Sequence, residues 1–122
     1  MAGVIVLTGC SSSTANLVTV SADQAATVIA GTPGVVVLDI RTPEEFADGF
    51  IAGAVNIDFY EPNFAQQIDL LPKDTPYVVY CRSGNRSSQA METFADLGFT
   101  DVTEIDGGIV SWVGSGLPLA VE

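Results

Sequence analysis

The sequence predicts an α/β fold in which a small central parallel β-sheet is flanked by helices on both faces. Two observations lead to this fold class. From residue 17 onward, short apolar runs alternate with segments of helical periodicity. In addition, residues 35–40 and 77–80 are nearly uninterrupted apolar runs rich in β-branched side chains, as in strands that are buried on both faces. Strands that alternate with helices form parallel sheets covered on both sides.

Short apolar runs predict the strands. The runs at residues 35–40 and 77–80 are expected to lie at the centre of the sheet, because both lack the polar alternation of a half-exposed strand. A turn at Thr32-Pro33-Gly34 precedes the first of them. The expected strands cover residues 17–20, 35–40, 54–57, 77–80 and 102–105.

Capping signals predict where the helices begin and end. Ser21 is followed three residues later by Gln24, the pattern of a capping box. Pro43 stands in the first turn of a second helix, where its fixed φ is favourable. Gly98 follows a segment of helical spacing and is typical of the residue after a helix C-terminus. The expected helices begin at Ser21 and Thr42 and cover residues 64–70, 87–97 and 107–113.

The composition excludes several classes of function. The chain has 122 residues, a formal net charge of −11, no histidine and two cysteines. Because a protein with this negative charge repels nucleic acid and anionic lipid, neither is an expected partner of the folded part. Without histidine, Ser-His-Asp and Cys-His arrangements and most zinc sites are impossible. We expect one folded domain over residues 17–122, with neither a metal nor an organic cofactor.

Residues 1–16 are expected to lie outside this domain. Leu7-Thr8-Gly9-Cys10 resembles a bacterial lipobox, and the Ser/Thr-rich residues after Cys10 suit a flexible linker. No Lys or Arg precedes Cys10, so the segment is interpreted as the remnant of a truncated lipoprotein signal. On that interpretation the protein is extracytoplasmic and held to the membrane only by a lipid on Cys10. The alternative is a cytoplasmic protein with an apolar tail and an idle thiol.

Cys81 is the candidate nucleophile. It directly follows the predicted strand 77–80, and ligands of open α/β sheets bind beyond the carboxyl ends of the strands. A helix is expected to begin a few residues later, so the loop at residues 82–86 should point its N–H groups toward the thiol. Ser83, Gly84 and Asn85 have the turn chemistry that such a loop needs. The alternative is a buried, inert structural thiol.

The placement of the basic residues favours the chemical interpretation. The chain has four basic side chains, and three of them (Arg41, Arg82 and Arg86) follow predicted central strands. Two of these stand within five positions of Cys81. Positive charge beside a cysteine favours the thiolate and attracts an anionic ligand. The pattern therefore predicts a nucleophilic cysteine in a small anion-binding loop.

The chain also resembles a known family, the single-domain rhodaneses, which are thiosulfate sulfurtransferases. The segments that carry the resemblance are Cys81-Arg82-Ser83-Gly84-Asn85-Arg86-Ser87, the segment Leu38-Asp39-Ile40-Arg41, Glu45-Phe46, residues 49–57, Asp106-Gly107-Gly108, Trp112 and Gly116-Leu117-Pro118. They span nearly all of the expected domain. One position departs from the family pattern, because Phe50 stands where histidine is usual, which concerns local packing rather than chemistry.

The resemblance implies a ping-pong mechanism without a cofactor. Cys81 would take the outer sulfur of a thiosulfate-like donor as a persulfide and pass it to cyanide, a thiol or a protein acceptor. The N–H groups from Arg82 to Ser87 would stabilise the persulfide, and Arg82 and Arg86 would orient the donor. Arg41 would either reach the same pocket or pair with a carboxylate. Asp39 and Glu45 are expected to support the site structurally.

Two other functions are weighed against this one. Related phosphatases and arsenate reductases separate cysteine and arginine by six positions, whereas Cys81 and Arg86 are five apart, and Tyr80 stands where those enzymes often have histidine. A shorter loop suits a sulfur atom better than phosphate or arsenate. The second alternative is a sulfur-carrier, redox or protein-binding module that has little turnover on small donors.

Overall fold

A computed structural model describes residues 15–122 of the chain. Strands and helices alternate throughout this range, as expected. The strands are β1 (Asn16–Val20), β2 (Val36–Asp39), β3 (Val55–Asn56), β4 (Tyr77–Tyr80) and β5 (Asp101–Ile105). The helices are α1 (Ala22–Gly31), α2 (Pro43–Ala47), α3 (Phe64–Asp69), α4 (Asn85–Asp96) and α5 (Gly108–Gly114). The expected signal remnant and the lipidation of Cys10 fall outside the described residues.

The five strands form one parallel sheet in the order β1-β5-β4-β2-β3. The two nearly uninterrupted apolar runs, β2 and β4, pair with each other near the centre, which confirms the expected fold class. Because the strands are parallel, the residues that follow β2 and β4 meet at one edge of the sheet. The backbone N–H of Ile40 still bonds to the carbonyl of Tyr80 at 3.1 Å, so the chain after both strands starts from neighbouring positions.

Helices cover both faces of the sheet and bury two apolar clusters. The first cluster joins α3 and α4 to the sheet through Phe64, Ile68, Ala90 and Phe94. The second joins α1 and α5 to the opposite face through Ala22, Ala25, Ile109 and Trp112. Burial of apolar surface on both faces fixes the sheet, so its carboxyl edge is a rigid base for the loops above it. Within residues 15–122, no helix is both long and apolar enough to span a membrane.

The capping signals are confirmed for α1, where Ser21 and Gln24 form a reciprocal capping box. The expected start of α4 at Ser87 is wrong, because the helix begins at Asn85. The residue that precedes it, Gly84, has a left-handed φ of 101° and makes no side-chain cap. The turn after Cys81 is therefore shorter than expected, and Asn85 and Arg86 already belong to the first helical turn.

Phe50 is accommodated by local packing. Its ring stacks on Phe46 with centroids 4.2 Å apart and planes 10° from parallel. The backbone of Phe50 also exchanges two hydrogen bonds with Ala120, at 2.9 and 2.7 Å, which attaches the C-terminal segment to the loop between α2 and β3. An apolar ring at this position is thus partly covered by a neighbour on α2.

Candidate active site

The sulfur of Cys81 lies beneath the turn that follows β4. Cys81 has no measurable exposure, and its Sγ accepts hydrogen bonds from the N–H of Gly84 at 3.1 Å and of Ser87 at 3.4 Å. The left-handed conformation of Gly84 allows this turn, because it redirects the chain immediately before α4. Two backbone dipoles and the N-terminus of α4 therefore converge on one sulfur atom, an arrangement that stabilises negative charge there.

The N-terminus of α5 supports the turn that follows Cys81 through hydrogen bonds to its carbonyl groups. The N–H of Ile109 bonds to the carbonyl of Cys81 at 2.9 Å, and the N–H of Val110 bonds to the carbonyl of Arg82 at 3.1 Å. Gly108 has a φ of +58°, and a Cβ there would lie 2.4 Å from the Cys81 carbonyl oxygen. The carbonyls of the turn thus face α5 while its N–H groups face the sulfur. In the sequence, Gly107 and Gly108 stood out only as part of the family resemblance.

Arg86 is held by Glu45. Its two terminal nitrogens lie 2.8 and 2.9 Å from the two carboxylate oxygens, a bidentate pair. Glu45 also accepts a hydrogen bond from the N–H of Thr42 and so completes the capping box of α2. The Arg86 hydrogen bonds, helped by Thr42 and opposed by burial, lower the pKa of Glu45 to about 2. The pair connects α2 to the first turn of α4, so it braces the cysteine turn.

Arg41 and Asp39 form a buried pair beside this brace. The guanidinium donates to both Asp39 oxygens and, at 2.7 Å, to the carbonyl of Gly49. Arg41 is 4 % exposed and Asp39 is fully buried. Burial works against the charge of Arg41, but the hydrogen bonds and the charge of Asp39 outweigh it and raise the pKa of Arg41. Arg41 therefore pairs with a carboxylate, one of the two roles left open.

A cavity of about 410 Å³ adjoins the turn. Arg41 and Arg82 line it together with the carboxylates of Glu45 and Asp48, so Arg41 also borders the space that its second role requires. The guanidinium of Arg82 forms no ion pair within residues 15–122, and its side chain is exposed. The apolar part of the wall comes from α5 and the C-terminal segment, through Ile109, Val110, Val113 and Leu119. Arg82 is therefore the cation of this lining that stays unpaired within residues 15–122, next to an apolar wall.

A buried carboxylate that the sequence did not indicate lies next to the cysteine turn. Glu104, on β5, is 3 % exposed and accepts hydrogen bonds from three hydroxyls, those of Thr19, Ser87 and Ser88. Ser87 also contacts the sulfur of Cys81. In the sequence Glu104 is one acid within a strand, and its partners are up to 85 positions away. No pattern in the sequence indicates that Glu104 lies next to these hydroxyls.

The structure thus brings most of the expected site residues to one edge of the sheet. Gly84 and Ser87 contact the sulfur, Arg86 pairs with Glu45, and Arg41 pairs with Asp39. Ser83 and Asn85 are exposed on the turn and on the start of α4. Residues 15–122 contain no cluster of three or more side chains suited to a metal ion.

Comparisons with known proteins define the class to which this fold and site belong. Residues 21–115 match the model of the rhodanese-like domain family. The chain therefore belongs to the rhodanese-like domain family.

Individual relatives agree with this assignment. A protein named sulfurtransferase from Allochromatium vinosum is 38 % identical over 91 residues, which cover 75 % of this chain and 83 % of that protein. The thiosulfate sulfurtransferase GlpE of Pseudomonas aeruginosa is 42 % identical over 80 residues, covering 65 % of this chain and 70 % of GlpE. The crystal structure of a rhodanese-related protein from Thermoplasma volcanium superposes with a TM-score of 0.75 at 33 % identity, covering 85 % of this chain and 98 % of that one.

Proposed function

We propose that the protein is a sulfurtransferase that moves a sulfane sulfur from an anionic, thiosulfate-like donor to a thiophilic acceptor. The observation that carries the proposal is the convergence of two N–H groups on the sulfur of Cys81 beneath a turn that also bears an exposed arginine. The relatives named sulfurtransferase and thiosulfate sulfurtransferase support it, because their similarity to this chain extends over two thirds or more of their own length.

The transfer proceeds through a persulfide. The Cys81 thiolate attacks the outer sulfur of thiosulfate, an S–S bond to Cys81 forms, and the S–S bond of the donor breaks with release of sulfite. Cyanide then attacks the terminal sulfur, thiocyanate leaves, and the thiolate returns. Hydrogen bonds from Gly84 and Ser87 stabilise the anionic sulfur at each stage. The step requires neither metal nor organic cofactor.

Arg82 attracts and positions the donor. It is the exposed cation at the edge of the cavity, whereas both terminal nitrogens of Arg86 are engaged by Glu45. We assign Arg86 the task of bracing the turn and adding positive potential beside the sulfur. In a protein of formal net charge −11, such a local cation decides whether an anion approaches. Ser83 and Asn85 complete the turn, and Arg41 closes one side of the cavity.

A second function is favoured by the burial of Cys81. The residue has no measurable exposure, so a small donor reaches the sulfur only when the turn opens. A protein partner that docks on the exposed Val110 and Val113 of α5 would open it by contact, as a sulfur carrier or redox module requires. A phosphatase or arsenate reductase fits less well, because the turn is short and Arg86 is engaged.

Thiocyanate production from thiosulfate and cyanide tests the proposal. We expect saturable turnover by the reduced wild-type protein. Turnover indistinguishable from the uncatalysed rate, together with a persulfide on Cys81 that persists in the presence of cyanide, would replace the enzyme by the sulfur carrier. Hydrolysis of a phosphate ester would support the phosphatase.

We also propose that Cys10 anchors the protein outside the cytoplasmic membrane. The support is the lipobox-like order Leu7-Thr8-Gly9-Cys10 and the polar residues that follow it. A chain bearing a complete lipoprotein signal should appear in the membrane fraction with a lipid mass on Cys10. The Cys10→Ser variant should be soluble, and recovery of both chains in the cytosol would refute the anchor.

A further inference from the structure

Glu104 is a buried carboxylate that pairs with no cation in the described part of the chain, residues 15–122. Its oxygens accept from Thr19 at 2.9 Å, Ser87 at 2.5 Å and Ser88 at 3.0 Å. None of the ion pairs within residues 15–122 includes it. A buried carboxylate without a cation is costly, even when hydroxyls solvate it. The sulfur-transfer steps given above do not use it, so its place beside the nucleophile calls for another role.

The hydroxyl of Ser87 stands between this carboxylate and the nucleophile. Its Oγ lies 2.5 Å from Oε2 of Glu104 and 3.4 Å from Sγ of Cys81. A serine hydroxyl has one proton to donate, and the short, charge-assisted contact directs it to Glu104. The oxygen lone pairs of Ser87 then face the sulfur and accept the S–H of a neutral thiol. Thiol, hydroxyl and carboxylate thus form one hydrogen-bonded chain.

We infer that Ser87 and Glu104 form a proton relay that takes up the proton of the Cys81 thiol. The S–H bond breaks as Ser87 Oγ accepts that proton, and the O–H bond of Ser87 breaks as its proton passes to Oε2 of Glu104. The products are a thiolate, an intact hydroxyl and a neutral carboxyl, with no change in total charge. Glu104 acts only through Ser87 and is a positioning residue. The inference rests on the proposed function only in taking Cys81 as the nucleophile.

The charges around the relay explain what it achieves. The chain contains no histidine to accept the thiol proton. A thiolate formed beside an ionised Glu104 would place two negative charges in one buried region, and protonation of Glu104 removes one of them. The groups that face Glu104 from neighbouring strands, Thr19 on β1 and Val79 on β4, carry no charge.

The charged groups of the cysteine turn and of the Glu45–Arg86 pair keep their charge over the useful pH range. Arg82 and Arg86 remain protonated throughout. Glu45 remains ionised above its pKa of about 2. A difference in the shape of the pH profile between the wild type and a relay variant is therefore not caused by these three groups.

The test is the rate of Cys81 alkylation by iodoacetamide, a neutral reagent, as a function of pH. The full chain carries Cys10→Ser, so that Cys81 is the thiol measured. With the relay, the Cys81 thiol and the Glu104 carboxylate share one proton, so a fixed fraction of Cys81 stays a thiolate. The alkylation rate should therefore level off at pH values below the ionisation that removes this shared proton. In Glu104→Gln, which keeps an acceptor oxygen but cannot take the proton, the rate should fall about tenfold per pH unit throughout. Burial of the sulfur slows alkylation by the same factor at every pH, so it leaves the shape of the pH profile unchanged.

Two serine variants provide a matched pair. Ser88→Ala removes a hydroxyl that binds the same carboxylate but does not contact the sulfur, so its alkylation rate should still level off at low pH. Ser87→Ala interrupts the relay, so its alkylation rate should not level off. If Glu104→Gln does not fold, as judged by circular dichroism, this pair carries the test. Profiles of identical shape for the wild type and Glu104→Gln, or for the two serine variants, would overturn the relay. Sulfur transfer is not measured, so failure of the proposed function would be seen separately.

Discussion

Substitution of Gly108 by alanine should displace α5 from the turn that follows Cys81 and so disrupt that turn. Gly108 has a φ of +58°, and an added Cβ would lie 2.4 Å from the carbonyl oxygen of Cys81 and 2.6 Å from that of Arg82. Backbone atoms cannot yield at such distances, so the N-terminus of α5 must move away. The bonds from Ile109 and Val110 to these carbonyls would then be lost.

The magnitude follows from two contributions. A left-handed conformation at a residue with a Cβ costs about 1–2 kcal/mol. Each of the two lost backbone hydrogen bonds contributes about 1 kcal/mol. We therefore expect Gly108→Ala to lower the free energy of unfolding by about 3 kcal/mol. Turnover should fall by at least about tenfold, the equivalent of about 1.4 kcal/mol, because the N–H groups no longer converge on the sulfur.

Gly34→Ala is the matched control. Gly34 has a φ of +76°, and no atom lies within 4 Å of its added Cβ. It should lose only the conformational contribution, about 1 kcal/mol, and retain full turnover. Urea unfolding gives both free energies, and thiocyanate production gives both rates. Equal stabilities for the two variants, with full activity in Gly108→Ala, would refute the claim that α5 supports the turn.

Two further changes test the charges of the site. Glu45 has a pKa of about 2 in the folded protein against an ordinary 4.5, so its contribution to stability is complete above about pH 4.5 and is lost as the pH falls toward 2. After discounting for partial exposure, Glu45→Gln should lower the free energy of unfolding by about 1–2 kcal/mol at neutral pH and flatten the acid limb; an unchanged acid limb would contradict the pairing with Arg86. Arg82→Ala should raise KM for thiosulfate about fivefold or more at low salt. Lys73→Ala, which removes a charge before β4 at the opposite edge of the sheet, should not, and equal effects would point to net charge alone.

The fold could be predicted because its signals are local. Nearly uninterrupted apolar runs indicated β2 and β4, and Ser21 with Gln24 indicated the start of α1. The start of α4 was missed because Gly84 caps it through backbone conformation rather than through a side chain. A side-chain cap is visible in the sequence, whereas a left-handed glycine that precedes a helix is also typical of an ordinary turn.

The site could be predicted only where its residues are neighbours in the chain. Cys81 and its turn form one segment, but the pairing of Glu45 with Arg86 joins positions 41 apart. Arg41 was left with two roles, and only the fold shows that its guanidinium binds Asp39 while the residue also borders the cavity. Glu104 was not anticipated, because a buried acid in a strand is identified only by the hydroxyls folded around it.

The most direct test of sulfur transfer through Cys81 is a mass measurement without an acceptor. Reduced protein carrying Cys10→Ser is mixed with thiosulfate, and intact mass and released sulfite are followed together. We expect Cys81 to gain one sulfur atom as one equivalent of sulfite appears, and we expect neither change when Cys81 is also replaced by serine. An unchanged mass with the thiol confirmed as reduced, or an equal gain in the serine variant, would contradict it.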